Sequence, residues 1–403
     1  MEQDYRKKIV LITNQSFPIG LAGTNRIISY CRGFLHHGFQ PEVYCFRPTE
    51  SYNRVFNNSI KGEHKGIKYS YPGGTTIRVA SFWGRRINDI SGILSTLKLL
   101  FVMSSKKEIE FVIFYGNKFC AELSFIFLIR LFRIKIYKEE SENPHVYFRD
   151  SRSALSKIFK WFYVNKLYGY YSGVLVMTQP LRDYFLAKGI PDRGILVVPQ
   201  TVDLDRFENI YLDTKKVEYE YIAYVGTLSQ QKDGVLTLVE SFLMVSARFP
   251  EIRLLIAGEG TPREKGELTL LINQLHLNEK VYYLGRISSD DIPSFFYRAK
   301  VLVSCRPQSM QSDFGFPTKV VEYLASGKPT VTTATGELAF YLKDRVNAFV
   351  ANMAEPNIFG SKMLEVLKDY DLAMKVARNG KELVREKFSP MKQAKIIIDF
   401  CIG

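Results

Sequence analysis

Apolar residues follow two rhythms along this chain: short unbroken runs, and longer stretches where they recur every three or four positions. The first rhythm predicts strands buried on both faces and the second predicts amphipathic helices, so their alternation predicts parallel α/β layers. Lys8 to Thr13 (KIVLIT) is the first run. A loop with Pro18, Gly20 and Gly23 follows. Ile27, Ile28, Cys31, Phe34 and Leu35 then sit at helical spacing up to Gly38, before a second strand over 41–46. The same reading predicts a helix over about 90–101, strands at 111–115 and 134–137 flanking a Phe-rich helix at 118–131, and a helix within 152–171. Strands at 173–177 and 195–198 surround a helix at 180–188, while 47–80 reads as loops and edge strands, and 138–145 as a polar exit from a strand. Beyond a connection at 198–207 and a polar linker at 209–220 the alternation restarts. Strands are predicted at 221–225, 253–256, 281–284, 301–303 and 330–333, with helices near 234–248, 265–275, 289–299 and 317–326. Helices over about 356–388 and a last one from Pro390 close the chain. The 403 residues suit two domains of about 200 residues each.

Charge separates the halves. Residues 1–200 hold 29 Lys+Arg against 15 Asp+Glu and the remainder holds 26 of each, so the whole formal +14 lies in the first half. That asymmetry implies different partners: nucleic acid, an anionic membrane surface or an acidic substrate for the basic half. Within 152–171, Lys157, Lys160 and Lys166 alternate with aromatics such as Trp161 and Tyr168. This fits an ordinary half-buried helix first, a membrane interface second, and a nucleic-acid platform last, since no nucleic-acid module is recognisable. Five scattered cysteines without a CxxC pair predict reduced thiols rather than a disulfide frame or zinc site. The N-terminus carries no signal-peptide core, and the best spanning candidate, 119–137, is interrupted by Glu122, Arg130, Arg133 and Lys135. The expected location is therefore cytoplasmic, with peripheral attachment to the inner face of the cell membrane.

Candidate chemistry gathers in the second half. In SDFGFPTKVVEYLASGKP (312–329), Pro317 suits the first position of a helix that Gly327 and Pro329 end. Lys319 and Glu322 stand three apart near the positive helix N-terminus and its free backbone N–H groups. That makes either a site for a phosphorylated ligand with hydroxyls or a capped surface helix with an i,i+3 ion pair. After the strand at 221–225, Gly226 leaves room for a ligand, and Lys232 precedes a helix whose expected N-cap is Asp233. Lys232 alone could be a solvated loop lysine. However, Gly258 and Gly285 repeat the glycine at a strand end, and ligands gather at the carboxyl ends of open α/β sheets. Four such ends converging on one crevice favour a diphosphate cradle. The loop at 14–26 lacks GxGxxG, which disfavours a nicotinamide dehydrogenase. No Asp-x-Asp at a strand end suggests a metal; Asp203 and Asp205 have that spacing only in the connection, where they fit ordering of the hinge.

Five stretches, VPQTVDLDRF (198–207), VGTLSQQKDG (225–234), LLIAGEG (254–260), VYYLGRI (281–287) and GFPTKVVEYLASGKP (315–329), resemble in order and spacing the nucleotide-sugar domain of retaining glycosyltransferases of family 4. The loop at 14–26, with Asn25-Arg26, resembles the family's N-terminal loop. The resemblance implies the GT-B fold, two Rossmann-like domains facing each other across a cleft. An acceptor domain over 1–200, completed by 390–403, and a donor domain over 201–389 would make up that fold, with the closing helix crossing back. It implies transfer of a hexose from a nucleotide sugar to an acceptor hydroxyl with retention, with no metal or other cofactor. The implied setting is cell-surface polysaccharide or glycolipid synthesis on a lipid-linked acceptor, with the basic domain on an anionic membrane and no nucleic acid. Lys232 would bind the donor diphosphate and Glu322 the ribose hydroxyls. The backbone of Phe316, Pro317, Thr318 and Lys319 would hold phosphate or sugar, Gly226 and Thr227 would form the adjoining strand end, and Arg286 and Ile287 would bracket the base. Gly23, Asn25 and Glu142 would meet the acceptor, and His145 would orient or deprotonate its hydroxyl, which makes Lys232, Glu322 and His145 the catalytic candidates. Two positions depart from the family: Thr227 stands where an arginine is usual, and Phe314 stands where Glu-x7-Glu places its first glutamate, leaving Asp313 as the nearest substitute. A nucleotide-sugar epimerase on the same fold and a catalytically silent binding relative are the alternative readings.

Overall fold

The two rhythms become parallel sheets and the helices that connect their strands. The computed structural model describes residues 7–20, 22–53, 55–145, 154–208 and 219–403 and divides the chain into two units, Met1–Thr201 with Pro390–Gly403, and Val202–Ser389. The polar linker expected at 209–220 lies, apart from its last two residues, outside the described residues.

Strands of the first unit are β1 (Lys8–Thr13), β2 (Gln40–Cys45), β3 (Glu50–Ser51), β4 (Lys61–His64), β5 (Ile67–Ser70), β6 (Ile77–Arg78), β7 (Ile109–Tyr115), β8 (Ile136–Glu140), β9 (Gly173–Val176) and β10 (Ile195–Val197). Eight of them form one sheet in the order β10-β9-β8-β7-β1-β2-β5-β4, parallel except for the β4–β5 pair, while β3 pairs with β6. Helices α1 (Ala22–His36), α2 (Phe82–Ser105), α3 (Phe119–Leu131), α4 (Ala154–Asn165) and α5 (Gln179–Ala187) supply the crossovers. The second unit has α6 (Asp205–Glu208), β11 (Tyr221–Thr227), α7 (Gln230–Asp233), α8 (Val235–Arg248), β12 (Arg253–Glu259), α9 (Pro262–Gln274), β13 (Val281–Gly285), α10 (Ile292–Arg298) and β14 (Val301–Ser304). It continues with α11 (Met310–Phe314), α12 (Thr318–Ala325), β15 (Thr330–Thr333), β16 (Phe349–Ala351), α13 (Pro356–Lys368) and α14 (Tyr370–Lys387). Its six strands are all parallel in the order β13-β12-β11-β14-β15-β16. The order reverses between β11 and β14, a topological switch point where open α/β sheets bind ligands. The last helix, α15 (Pro390–Ile402), returns to the first unit, burying Ala394, Ile397 and Cys401 against Ile27, Cys31 and Phe34 of α1.

Three sequence expectations need correction. β16 was not foreseen, because its three residues give too short an apolar run to register. Pro317 occupies the cap of α12, and the helix starts at Thr318. The polar exit at 138–145 is, for its first three residues, the end of β8, with Lys138, Glu139 and Glu140 all buried. The charges are tolerated there because each is matched. Arg26 Nε donates to Glu139 at 2.7 Å, both side chains being at most 1 % exposed, and Tyr30 donates to the same carboxylate at 3.1 Å. Lys138 lies 3.1 Å from Glu122 and 3.9 Å from Glu140; Tyr163 and Tyr171 donate to Glu122 and Tyr168 donates to Glu140. Arg26 also donates to the carbonyls of Val198 and Pro199, so one guanidinium ties α1 to β8 and to the exit of β10. Burial opposes its charge, yet Glu139 holds the guanidinium above its ordinary value. Breaking a buried pair leaves the other charge uncompensated. Arg26→Ala should therefore cost about 3–5 kcal/mol in urea unfolding; an unchanged midpoint would mean that the pair contributes nothing.

Candidate active site

At the switch point, the carboxyl ends of β11 and β14 meet two short segments that carry charge. β11 runs two residues beyond its predicted end, to Thr227, and Ser229 caps α7 by accepting from the Lys232 N–H. Asp233 is then not the N-cap of α8. Gly234 takes that position at φ +67°, a left-handed conformation, and a side chain there would overlap the Cys305 carbonyl at the end of β14. Only glycine fits both demands, which frees the Asp233 carboxylate to turn inward.

Asp233 is 3 % exposed and accepts from Thr227 Oγ1 at 2.5 Å and Lys319 Nζ at 2.8 Å. Lys319 also donates to Tyr224 Oη at 3.0 Å and lies over that ring, 4.6 Å from its centroid. The space beside Gly226 is accordingly filled from within: a Cβ at this position would strike Lys319 Nζ and the Tyr224 hydroxyl. Glycine here admits the lysine. Tyr323 pins α12 to β11 by accepting from the Val225 N–H at 2.9 Å and donating to its carbonyl at 3.2 Å. Burial works to raise Asp233, yet Lys319 and Thr227 hold it below its ordinary value; burial, aided by Arg306 and Lys232, holds Lys319 below the usual lysine value despite Asp233. Three cations thus face one buried carboxylate.

Lys319 and Glu322 do not form the i,i+3 pair that a surface helix would show. Lys319 turns to Asp233, and Glu322 lies 3.6 Å from Arg206 of α6, itself anchored to the Ser289 carbonyl at 2.9 Å. Burial raises the Glu322 carboxyl above the ordinary glutamate value, and Arg206 offsets part of that rise. Lys232 is exposed and takes part in no ion pair among the described residues. Phe316 packs inward on Phe388, with ring centroids 5.7 Å apart, Pro317 is buried, and Thr318 is half-buried at the helix start. Gly226 stands opposite Gly258 on β12, and Ala257 opposite Gly285 on β13, so these strand ends are adjacent. Arg286 and Ile287 follow the last of them; Arg286 is exposed, 3.5 Å from Glu259. Arg306, Arg206 and the inward role of Asp233 escaped the sequence reading. The one available signal for Arg306 was a basic residue two positions beyond a strand end.

The remaining candidates lie in the first unit. Gly23 and the exposed Asn25 open α1 after β1, whereas the exposed Glu142 and His145 follow β8, and no hydrogen bond or ion pair joins the two sets among the described residues. The His145 ring meets Tyr184 edge-on at 6.0 Å, and burial with Lys160 and Lys188 lowers its pKa from the ordinary value. Among the described residues no group of three or more His, Cys, Asp or Glu is arranged to hold a metal.

Residues 207–383 match the family model of glycosyl transferases group 1. The second unit is a group 1 glycosyltransferase domain. Mannosylfructose-phosphate synthase of Agrobacterium fabrum is 26 % identical over 231 residues, covering 54 % of this chain and 50 % of that protein. N-acetylgalactosamine-N,N'-diacetylbacillosaminyl-diphospho-undecaprenol 4-alpha-N-acetylgalactosaminyltransferase of Campylobacter jejuni is 26 % identical over 210 residues, covering 51 % and 53 %. The chain thus spans about half the length of these curated relatives. Over the whole length, the structure of Anabaena HepE in complex with UDP and glucose superposes with a TM-score of 0.65 at 15 % identity, covering 97 % of this chain and 98 % of that one. The chain carries the two-domain GT-B fold.

The inward pair separates a structural charge from a solvent-facing one. Asp233→Asn, which strands Lys319 next to Arg306, should destabilise the protein by about 3 kcal/mol, whereas Lys232→Ala should change stability by less than about 0.5 kcal/mol. Because the folded Asp233 pKa is depressed, its contribution is complete above the ordinary value of 3.8 and is lost as pH falls through the folded pKa. Acid unfolding curves of wild type and Asp233→Asn should therefore converge below pH 3.8, and curves that stay parallel would contradict the assignment.

Proposed function

We propose that this glycosyltransferase moves a hexose from a nucleotide sugar to an acceptor hydroxyl with retention at the anomeric carbon, on a lipid-linked acceptor used in cell-surface polysaccharide or glycolipid synthesis. The observation that carries the donor side is the charge balance at the switch point, where Lys232, Lys319 and Arg306 outnumber the carboxylates of Asp233 and Asp313. The N-terminus of α12 opens beside them. Such a site suits a diphosphate, and most of all a departing one, because the leaving group gains negative charge as the glycosidic bond breaks. Lys232, exposed and without an ion pair among the described residues, is the cation that meets the diphosphate directly. Lys319 is a positioning residue that holds α12 against β11. Glu322 accepts from the ribose hydroxyls, with Arg206 offsetting part of the rise that burial imposes on its carboxyl. The backbone from Phe316 to Lys319 approaches phosphate or sugar; Thr227 and Gly226 close the strand end; Arg286 and Ile287 border the base. No resident metal is required for this division of labour.

On the acceptor side Gly23, Asn25 and Glu142 meet the acceptor, and His145 takes the hydroxyl proton. Its lowered pKa supports that role, since the ring is neutral near pH 7 and able to accept. The lipid-linked acceptor is supported by the excess of cations in the first half and by the acceptor named for the Campylobacter relative. The same charge supports peripheral contact with the inner face of an anionic membrane.

Calorimetry with UDP-, GDP-, ADP- and CMP-sugars tests the donor site. Lys232→Ala and Glu322→Ala should each weaken binding of the cognate donor about 10- to 100-fold, the value of a charge-assisted hydrogen bond. Unchanged affinity for every donor would overturn the assignment. The anomeric configuration of the product, read by proton NMR, should match that of the donor. Inversion would sink the retaining mechanism, and sugar conversion without an acceptor would favour an epimerase.

A further inference from the structure

Helix α2 has two faces that the donor chemistry leaves unexplained. Asn88, Asp89, Gly92, Thr96 and Leu100 face inward, the last three fully buried, while Trp83, Ile87, Ile90, Leu94 and Phe101 are each more than half exposed. The spacing of the second set, four, three, four and seven positions, draws one continuous apolar stripe along a helix of 24 residues, about 36 Å in length. Among the described helices, α2 alone is long and apolar enough to cross a membrane, which replaces the sequence candidate at 119–137. Arg85, Arg86, Asp89 and Lys98 within it and the burial of its inner face against the first unit make a helix that lies along a surface.

The amino end of the same helix meets a cluster of cations. Arg47, Arg78 and Arg85 gather there beside Pro48, Val79 and Asp89, with Arg86 and Lys118 close enough to repel Arg47 or Arg78. Asp89, 3.4 Å from Arg47, is the carboxylate facing them. Burial and the neighbouring guanidiniums lower both Arg47 and Lys118 from their ordinary values despite Asp89, so cations outnumber the carboxylate there.

We propose that this surface cluster of cations binds the phosphate of an anionic membrane lipid while the stripe of α2 lies in the boundary between headgroups and acyl chains. The two halves complement each other: cations supply the headgroup contact at the level where Trp83 sits, and the apolar residues continue from it. The proposal gives the membrane contact inferred above a specific surface, and rests on it. A soluble phosphate ester would match the cluster's chemistry but would leave the stripe uncovered, which is why the lipid is the assigned source.

Vesicle flotation of the full chain tests it. Vesicles of phosphatidylcholine with phosphatidylglycerol should recover the protein, and phosphatidylcholine alone should not. Arg78→Gln with Arg85→Gln should lower partitioning about 20-fold, at about fivefold per cation, and Ile87→Ser with Ile90→Ser should lower it comparably. All four residues are at least partly exposed, so thermal melts should match wild type. In a Trp161→Phe background, which leaves Trp83 as the sole tryptophan, emission should shift to the blue on anionic vesicles. Equal recovery on neutral vesicles, wild-type partitioning of either double variant, or displacement by glycerol 3-phosphate without any need for the stripe would each overturn the proposal. Nucleotide-sugar affinity of both double variants should stay at the wild-type value. A membrane failure therefore leaves the donor reading standing, and a donor failure leaves this one.

Discussion

The second unit is organised by one ion pair. Asp233 sits where α7 ends and Lys319 where α12 begins, so their 2.8 Å contact joins two segments that are 86 residues apart in sequence, one on each side of the switch point. A buried carboxylate without a partner would be strongly unfavourable, and a desolvated lysine equally so. Each therefore fixes the other. Tyr224 and Thr227 complete the shell, and Tyr323 locks the helix to the neighbouring strand. The opening turn of α12 is held by this arrangement, and so is any ligand that uses its backbone N–H groups.

The same device appears in the first unit at larger scale. Arg26 with Glu139, and Lys138 between Glu122 and Glu140, put charge at the end of β8, where a parallel sheet would ordinarily carry apolar residues. Phenols from Tyr30, Tyr163, Tyr168 and Tyr171 supply the remaining hydrogen bonds. Burying charge contributes little net stability even when it is paired, so such networks are weak evidence for stability and better evidence for fixed geometry. Here the geometry fixed includes the first turns of α1 and the exit of β10.

Much of this was legible in the residues. Unbroken apolar runs such as KIVLIT and the glycines at the ends of β11, β12 and β13 located the sheets and their carboxyl ends, since both signals are local. The errors share a cause. Lys138-Glu139-Glu140 reads as a loop because hydropathy scores each residue alone, whereas their burial depends on Arg26 and Glu122 far away in sequence. Asp233 reads as a cap because aspartate before a helix commonly is one. Gly234 displaced it, and nothing near it in the sequence shows that the Cys305 carbonyl requires a glycine there. Lys319 and Glu322 were found, but their partners, Asp233 and Arg206, were not. A helix pattern gives the face of a residue and not what the face meets.

These partners explain the two departures from the family pattern. An arginine after Gly226 would place a fourth cation beside Lys319, Lys232 and Arg306, against the carboxylates of Asp233 and Asp313. Thr227 instead donates to Asp233 at 2.5 Å and adds no charge, so the carboxylate can be given to Lys319. Phe314 stands at the end of α11, where a carboxylate was expected, and the site loses one negative charge by it. Both substitutions change the charge by one unit, in opposite directions. The two departures thus offset each other in charge, and Thr227 leaves the Asp233 carboxylate to Lys319.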